Sequence, residues 1–531
     1  MPQEILDPVC RHSGSLVGGA VGKTQLLAEL AVKAQFGDLT AVRLLAEAAS
    51  SVQMQSPGTA AQWLRAALRL VPETAGADQR TALLFRLAFA LGAAGQPRES
   101  RDTLRAALLA PGAGRHEGRA AAVAFCAHLE RRLGRYCEGQ ALLLAELSAL
   151  PDQATAAAAA VKFELGCGEL ERGDHAAARR WAQEALATLQ QRSPAGIHAA
   201  AAGLLAAVDA ACGDVAAAVT HAAEAASLLD GMLDRELAEQ PAAALWVGWS
   251  ELFLGRPLSA LRHLDRALAL AHDNSQALVT GMLLIARVLA LRLTGQLTEA
   301  CTAADEAAEA ALLTGGAGQQ AFVRAMRCDL AALTGQLDPA LAAAAIRPGG
   351  LPQPPGTWLA ALAAKALAEA RLAMGDPEGC LALAVSATGA GLAKAPDWAL
   401  VGWYELLTRA ELAVGNPSAA ARWADAATAA ARNANLPGRS GLALLAQAQA
   451  ATSTDPEAAH ALAFAAQDAL DSAGMSFDAA RATLAAAEAM AACGDLDRAG
   501  ADAHAAQAAF RSCRAGPLAR SAASLHRLTG P

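Results

Sequence analysis

The stretch VGGAVGKT, Val17 to Thr24, ends in Gly22-Lys23-Thr24, the residues with which a phosphate-binding loop closes. Such a loop cradles phosphate oxygens on backbone N–H groups, with the lysine on the outer phosphates and the hydroxyl on Mg²⁺. It requires a glycine where Val17 stands and a buried strand to spring from, and the preceding RHSGSL is no apolar strand. No later strand ends in a metal-holding carboxylate, because Asp209 follows Leu204 to Val208 inside a helical stretch. Gly22, Lys23 and Thr24 therefore read as a degenerate phosphate-loop candidate, expected to open a helix running to Gln35, and no nucleotide cofactor is expected.

Other chemistry is equally dispersed. The 11 histidines include His221 near Glu224 and His116 beside Glu117, but no H-E-x-x-H pair of ligands on one helix face. The 10 cysteines (Cys10, Cys126, Cys137, Cys167, Cys212, Cys301, Cys328, Cys380, Cys493, Cys513) contain no C-x-x-C and sit among alanines, as small buried hydrophobes do. No G-x-S-x-G elbow is present. The expectation is a protein that is not an enzyme, with no catalytic residues, no metal and no cofactor.

What the chain builds is legible in its composition. Hydrophobic residues make up 54% of the 531 but aromatics only 4%, so apolar area must be buried by many small side chains at close helix contacts. The net charge of −8 is spread along the chain, without the basic stripe that a phosphate backbone demands, so direct nucleic-acid binding is not expected. No apolar run is long enough to span a bilayer and no signal-peptide pattern opens the chain; a cytoplasmic protein without a membrane role is the expectation.

Glycines recur about every 40 residues: Gly95, Gly134, Gly173, Gly213, Gly255, Gly295, Gly335, Gly375, Gly415 and Gly494. Ser56 and Thr454 stand where two further glycines are due. Each is a helix stop, because glycine tolerates the left-handed conformation that ends one helix, while a following Asp or Asn caps the free amides of the next. Gly173-Asp174, Gly213-Asp214, Gly375-Asp376, Gly415-Asn416 and Gly494-Asp495 show both parts. Five residues after each glycine only small side chains appear: Ser100, Gly139, Ala178, Ala218, Ala260, Ala300, Ala340, Cys380, Ala420 and Ala499. Two helix backbones should meet closely there, and an alanine often follows on the same stripe, as at Ala185, Ala267, Ala387 and Ala427.

With its Leu165-Gly166 in a first helix, Gly173-Asp174 in the turn, and Ala178 and Ala185 in the second helix, the chain resembles a tetratricopeptide array. The resemblance implies an all-α fold, a right-handed superhelix (α-solenoid) of about twelve helix-turn-helix repeats over residues 23–531, after a tail of 1–22. A hinge is expected at 347–356, RPGGLPQPPG. FGDLTAVRLLAEAA (36–49), SPGTAAQWLRAALRLVP (56–72) and the last helices also resemble the helical-repeat region of LuxR-type transcriptional regulators of the large ATP-binding class. In such regulators an ATPase domain precedes the repeats and a DNA-reading helix-turn-helix follows; this chain begins about where the first would end and stops about where the second would begin.

In tetratricopeptide arrays the first helices line a concave groove. Counting back from the turn glycines, the resemblance places Trp249, Phe253, Arg292, Lys365, Glu369, Glu405 and Arg409 in that groove, with Trp246 on the neighbouring packing face. The expected function is an interaction and sensing module that takes a protein segment, a peptide or a small effector there. The alternative is a truncated or divergent LuxR-type regulator.

Overall fold

The computed structural model of the protein describes residues 34–72, 77–110, 118–189, 195–274, 276–314, 316–338, 341–343, 357–432 and 435–529. The tail 1–22, the Gly22-Lys23-Thr24 candidate, Cys10, Ala340 and the expected hinge 347–356 lie outside them. Among the described residues there is no strand: the chain is all-α. Helical hairpins follow one another from Leu39–Val52 with Pro57–Leu70, through Ala195–Ala211 with Val215–Gly231 and Asp397–Ala413 with Pro417–Arg432, to Ser476–Cys493 with Leu496–Ser512. The helix Gly516–Thr529 ends the series.

The turns obey the chemistry read from the sequence. All ten repeat glycines take positive φ, between 69° at Gly255 and 83° at Gly494. After Gly213 the N–H of Asp214 reaches back to the carbonyl of Asp209 at 2.9 Å, and the Asp214 carboxylate accepts from the Ala217 N–H at 3.3 Å. One residue thus satisfies an orphan carbonyl of the ending helix and an orphan amide of the starting one. Asp174, Asp376, Asn416 and Asp495 cap in the same way. The two turns without glycine differ. Ser56 is itself the capping position of Pro57–Leu70, so the place of the glycine belongs to Gln55, and the turn at Thr454 closes without a left-handed residue before Asp455 caps Pro456–Ser472.

Close helix contact explains the small positions. Ser100, Ala178, Ala218, Ala260, Ala300, Cys380, Ala420 and Ala499 have no exposed surface. A Cβ at Gly139 would lie 3.1 Å from the Ala127 carbonyl oxygen of the preceding helix. Gly166 shows why a Leu-Gly pair suits a first helix: a Cβ there would meet Leu204 at 3.2 Å and the backbone of Ala182 at 3.3 Å. Ala387 departs from the stripe. It is only half-buried, one residue before its helix Pro377–Thr388 ends.

The chain divides into two compact units. One runs to Leu165 and includes Ala269–Thr280 and Leu313–Gly315; the other holds Gly166–Leu268, Gly281–Leu312 and the chain from Gly316 onward. In the first, Leu45, Leu64, Leu91 and their alanine neighbours make one core, and Phe85, Leu104 and Leu129 another. In the second, Trp403, Leu406 and Cys380 centre one cluster and Leu445, Leu470 and Ala482 another. The candidate site lies within the second unit. None of the described helices is long and apolar enough to cross a membrane.

Candidate functional site

One residue from each of several first helices occupies the same register, six positions before the turn glycine: Trp249, Leu289, Asp329, Glu369, Arg409 and Glu488. Gln449, forty residues after Arg409 as Arg409 is after Glu369, extends the series where the turn lacks glycine. Since the period of the repeat sets this spacing, successive hairpins place these side chains on one inner face, and charged members meet across helices.

The central members form a continuous ion-pair chain. Lys365 Nζ donates to Glu369 at 2.9 Å, and Arg409 donates to Glu369 at 2.7 Å and to Glu405 at 2.8 Å. Arg481 donates to Glu405 Oε1, the oxygen that also accepts from Arg409 Nε, and to Asp478 at 2.7 Å. Arg292 pairs with Asp329 and lies over the Phe477 ring, 5.8 Å from its centre. Thus four of the residues placed in the groove by counting, Lys365, Glu369, Glu405 and Arg409, pair with each other, while Arg292 pairs with Asp329 beside them. Glu405, Arg292, Asp329 and Asp478 are buried, whereas Lys365, Glu369, Arg409 and Arg481 keep part of their surface open to water.

Burial raises the carboxyls of Glu369 and Glu405, yet the cations around them outweigh it and hold both below the ordinary range, Glu369 well below. Arg409 remains firmly charged, since the pull of Glu369 and Glu405 exceeds its loss of hydration. Asp329 goes the other way: burial pushes its carboxyl up despite Arg292, and its Oδ1 has no hydrogen-bond partner among the described residues.

The aromatic residues correct the expected groove. Trp249 has no exposed surface and Phe253 is 4% exposed, where the counted register had led us to expect groove-lining rings. Trp249 packs edge-on to Trp358 with ring centres 4.4 Å apart, and Phe253 stacks on Trp398 at 4.3 Å. Trp246, expected on the packing face, is buried as well and stacks at 6.3 Å on the same Trp358. The rings of Trp358 and Trp398 belong to helices more than a hundred residues later, and they cover the positions that would otherwise face solvent. Arg439 adds to this closure by donating to the Phe253 carbonyl at 3.5 Å and to Asp397 at 2.8 Å.

Two cavities remain on either side of the network. The smaller, about 150 Å³, is walled by Phe253, Leu289, Phe322, Leu362, Ala366 and Trp398, with Asp329 and Arg439 reaching it. The larger, about 520 Å³, is lined by Leu372, Leu412, Phe477 and Leu518, with Gln449 and Glu488. Arg292, Glu369 and Arg481 line both. Sequence reading had left out Asp329, Gln449 and Glu488, which the forty-residue spacing could have supplied. It had no signal for Arg481, Asp478, Trp358, Trp398 or Arg439, whose register differs from that of the counted residues.

Elsewhere, His221 bonds Asp209 at 2.8 Å and His263 bonds Glu251 at 2.9 Å, each tying a second helix to the first helix of its own hairpin. No cluster of three His, Cys, Asp or Glu side chains among the described residues is placed to hold a metal ion.

No family model matches this chain, and no curated protein does. Among solved structures, it is similar to the Cut9–Hcn1 hetero-tetramer of the APC/C at 12% identity, covering 92% of this chain and 93% of that one, with a TM-score of 0.41. A Rap protein complexed with Competence and Sporulation Factor matches at 14% identity over 67% of this chain and 99% of that one, with a TM-score of 0.43. Yeast Tom70 matches at 12% identity over 92% and 96%, with a TM-score of 0.27. Superpositions this loose have no bearing on function.

Proposed function

We propose that this chain is a binding and sensing protein, and that its second unit takes a small effector, or the tip of a peptide segment, into the interior where the first helices converge. The observation that carries this reading is a group of ion-paired side chains drawn from five helices, of which Arg292, Glu369 and Arg481 line both cavities. A scaffold needs no such group: ion pairs withdrawn from water contribute little to stability and are often bettered by apolar side chains. Their use is specificity, because a ligand entering beside them must match fixed charges and fixed donors.

Enclosure also decides what kind of ligand fits. An extended partner laid along the inner face would have to displace Trp398 from Phe253 and separate Arg481 from Glu405. A compact group meets no such obstacle, since a cavity of about 150 Å³ accommodates something the size of a benzene ring. Binding there would bear on helices from Phe253 to Arg481 together, and so could be passed to a partner on the outer surface. The alternative of a divergent LuxR-type regulator rests on the sequence stretches alone, and a neighbouring reading frame encoding the ATPase or helix-turn-helix domain is its test.

A thermal-shift screen of small fragments against the full chain tests the main reading, with Ala366→Leu as the comparison. Ala366 lines the smaller cavity, and a larger side chain would fill it. Fragments that stabilise the parent and lose their effect in Ala366→Leu are expected. A saturating screen with no stabilising fragment, or hits indifferent both to Ala366→Leu and to Ala485→Leu in the larger cavity, would overturn it.

A further inference from the structure

The charges that border the smaller cavity are committed to one another. Arg292 pairs with Asp329, Lys365 with Glu369, Arg481 with Glu405 and Asp478, and Arg439 with Asp397. Two buried atoms are left over. Asp329 has no exposed surface, and Arg292 bonds its Oδ2, so that Oδ1 is without a donor. Arg439 is equally buried and gives its terminal nitrogens to Asp397 and to the Phe253 carbonyl, so that its Nε is without an acceptor. Natural interiors rarely leave such groups unmatched, because the cost of desolvating them is then not offset by a bond. Around them the wall is apolar, with Phe253, Leu289, Phe322, Met326, Leu362 and Trp398.

We propose that the smaller cavity binds a phenol, a single neutral aromatic ring whose hydroxyl donates to Asp329 Oδ1. The proposal deepens the function proposed above and rests on it. A cavity of about 150 Å³ with walls of this kind holds one six-membered ring. The last torsion of an aspartate is soft, so Oδ1 turns to meet a donor in the cavity without a change of rotamer about Cα–Cβ. A hydroxyl accepts as well as donates, which suits an interior whose leftover atoms are one acceptor and one donor. A charged ligand of either sign is disfavoured: an ammonium or a carboxylate would enter a set of ion pairs already balanced and leave one charge over, away from water. Burial raises the Asp329 carboxyl despite Arg292, as expected of a carboxylate with one oxygen unbonded, and a hydroxyl bound there would bring it down.

Calorimetric titration of the full chain tests this with phenol, with toluene as the isostere that lacks the hydroxyl, with fluorobenzene as a ring that cannot donate, and with benzylamine and benzoate as charged rings. A blocked acetyl-Ala-Tyr-Ala-amide peptide offers the same phenol borne on a chain. Phenol should bind about tenfold or more tighter than toluene or fluorobenzene, the difference a hydrogen bond to a carboxylate makes, and neither charged ring should match it. In Asp329→Asn the carboxamide oxygen goes to Arg292 and the NH₂ takes the place of Oδ1, so the preference for phenol over toluene should disappear. Far-UV circular dichroism checks that this variant folds; should it not, the ratio of phenol to toluene affinity in the parent decides alone. Tighter binding of the tripeptide than of phenol would assign the ring to a tyrosine side chain of a peptide, and the reverse to a free phenol. Equal affinity of the parent for phenol and toluene, tighter binding of either charged ring, or a phenol preference that survives in Asp329→Asn would overturn the assignment, although the interior would then still be a binding site. If no probe binds, the phenol assignment fails, while the broader reading continues to depend on the fragment screen with Ala366→Leu and Ala485→Leu.

Discussion

Replacing Arg409 with methionine removes the guanidinium that joins Glu369 to Glu405 while keeping most of the apolar stem. Arg409 makes three of the network's hydrogen bonds, one to Glu369 at 2.7 Å and two to Glu405 at 2.8 and 3.2 Å. Breaking a buried ion pair from one side costs about 3–5 kcal/mol, because the remaining charge is left desolvated. Here Lys365 still serves Glu369 and Arg481 still serves Glu405, so the lower end, about 3 kcal/mol, is expected. The pH dependence follows from the same groups. Both carboxyls are held below their ordinary values in the folded protein, so their contribution is fully present above the unfolded carboxyl range and is lost as pH falls through the folded values. In Arg409→Met those values rise, and protonation relieves the unpaired charge. The stability gap between parent and variant should therefore be widest near neutrality and narrow as pH falls through about 5 toward 4. Urea unfolding followed by far-UV circular dichroism, from neutral pH to that range, measures the gap. A gap that stays constant across this range, or neutral-pH curves that superimpose, would refute the reasoning that these charges are buried and mutually dependent.

Three further outcomes are expected. Trp249→Ala should destabilise by about 3–5 kcal/mol in denaturant unfolding, because the ring is enclosed by Trp358 and Phe253; a cost below about 1 kcal/mol would place it at a surface. Ala420→Leu should cost about 1–3 kcal/mol by overpacking a helix contact, whereas the adjacent exposed Ala421→Leu should leave the melt unchanged; equal effects would show the repeat phase to be wrong. Calorimetry should detect no tight ATP binding and no effect of Lys23→Ala, since the Val17–Thr24 stretch lacks the first glycine of a phosphate loop; affinity abolished by that substitution would revive nucleotide binding.

The fold was legible where its causes are local. A glycine with positive φ marks each of the ten turns, and in five of them an Asp or Asn follows it directly, so the hairpins could be phased from Gly95 to Gly494 without coordinates. The exceptions are local as well: Ser56 occupies the N-cap position rather than the place of the glycine, which shifts the reading by one residue. Register told which side chains face inward, and Arg292, Lys365, Glu369, Glu405 and Arg409 do so. It could not tell what they face. The partners of Trp249 and Phe253 come from Trp358 and Trp398, and that of Glu405 from Arg481, 76 residues away. Such pairings depend on how the helices of successive hairpins are disposed in space, a property no single repeat encodes, and for that reason Trp249 and Phe253, expected to line an open groove, are covered.

The most direct measurement is a crystal structure of the full chain soaked with the compound that stabilises it most in the fragment screen. The account predicts that compound within the second unit, against Phe253, Leu362 and Trp398 or between Glu369 and Glu488. The compound found only on the outer faces of the second helices, with both cavities unchanged, would contradict it.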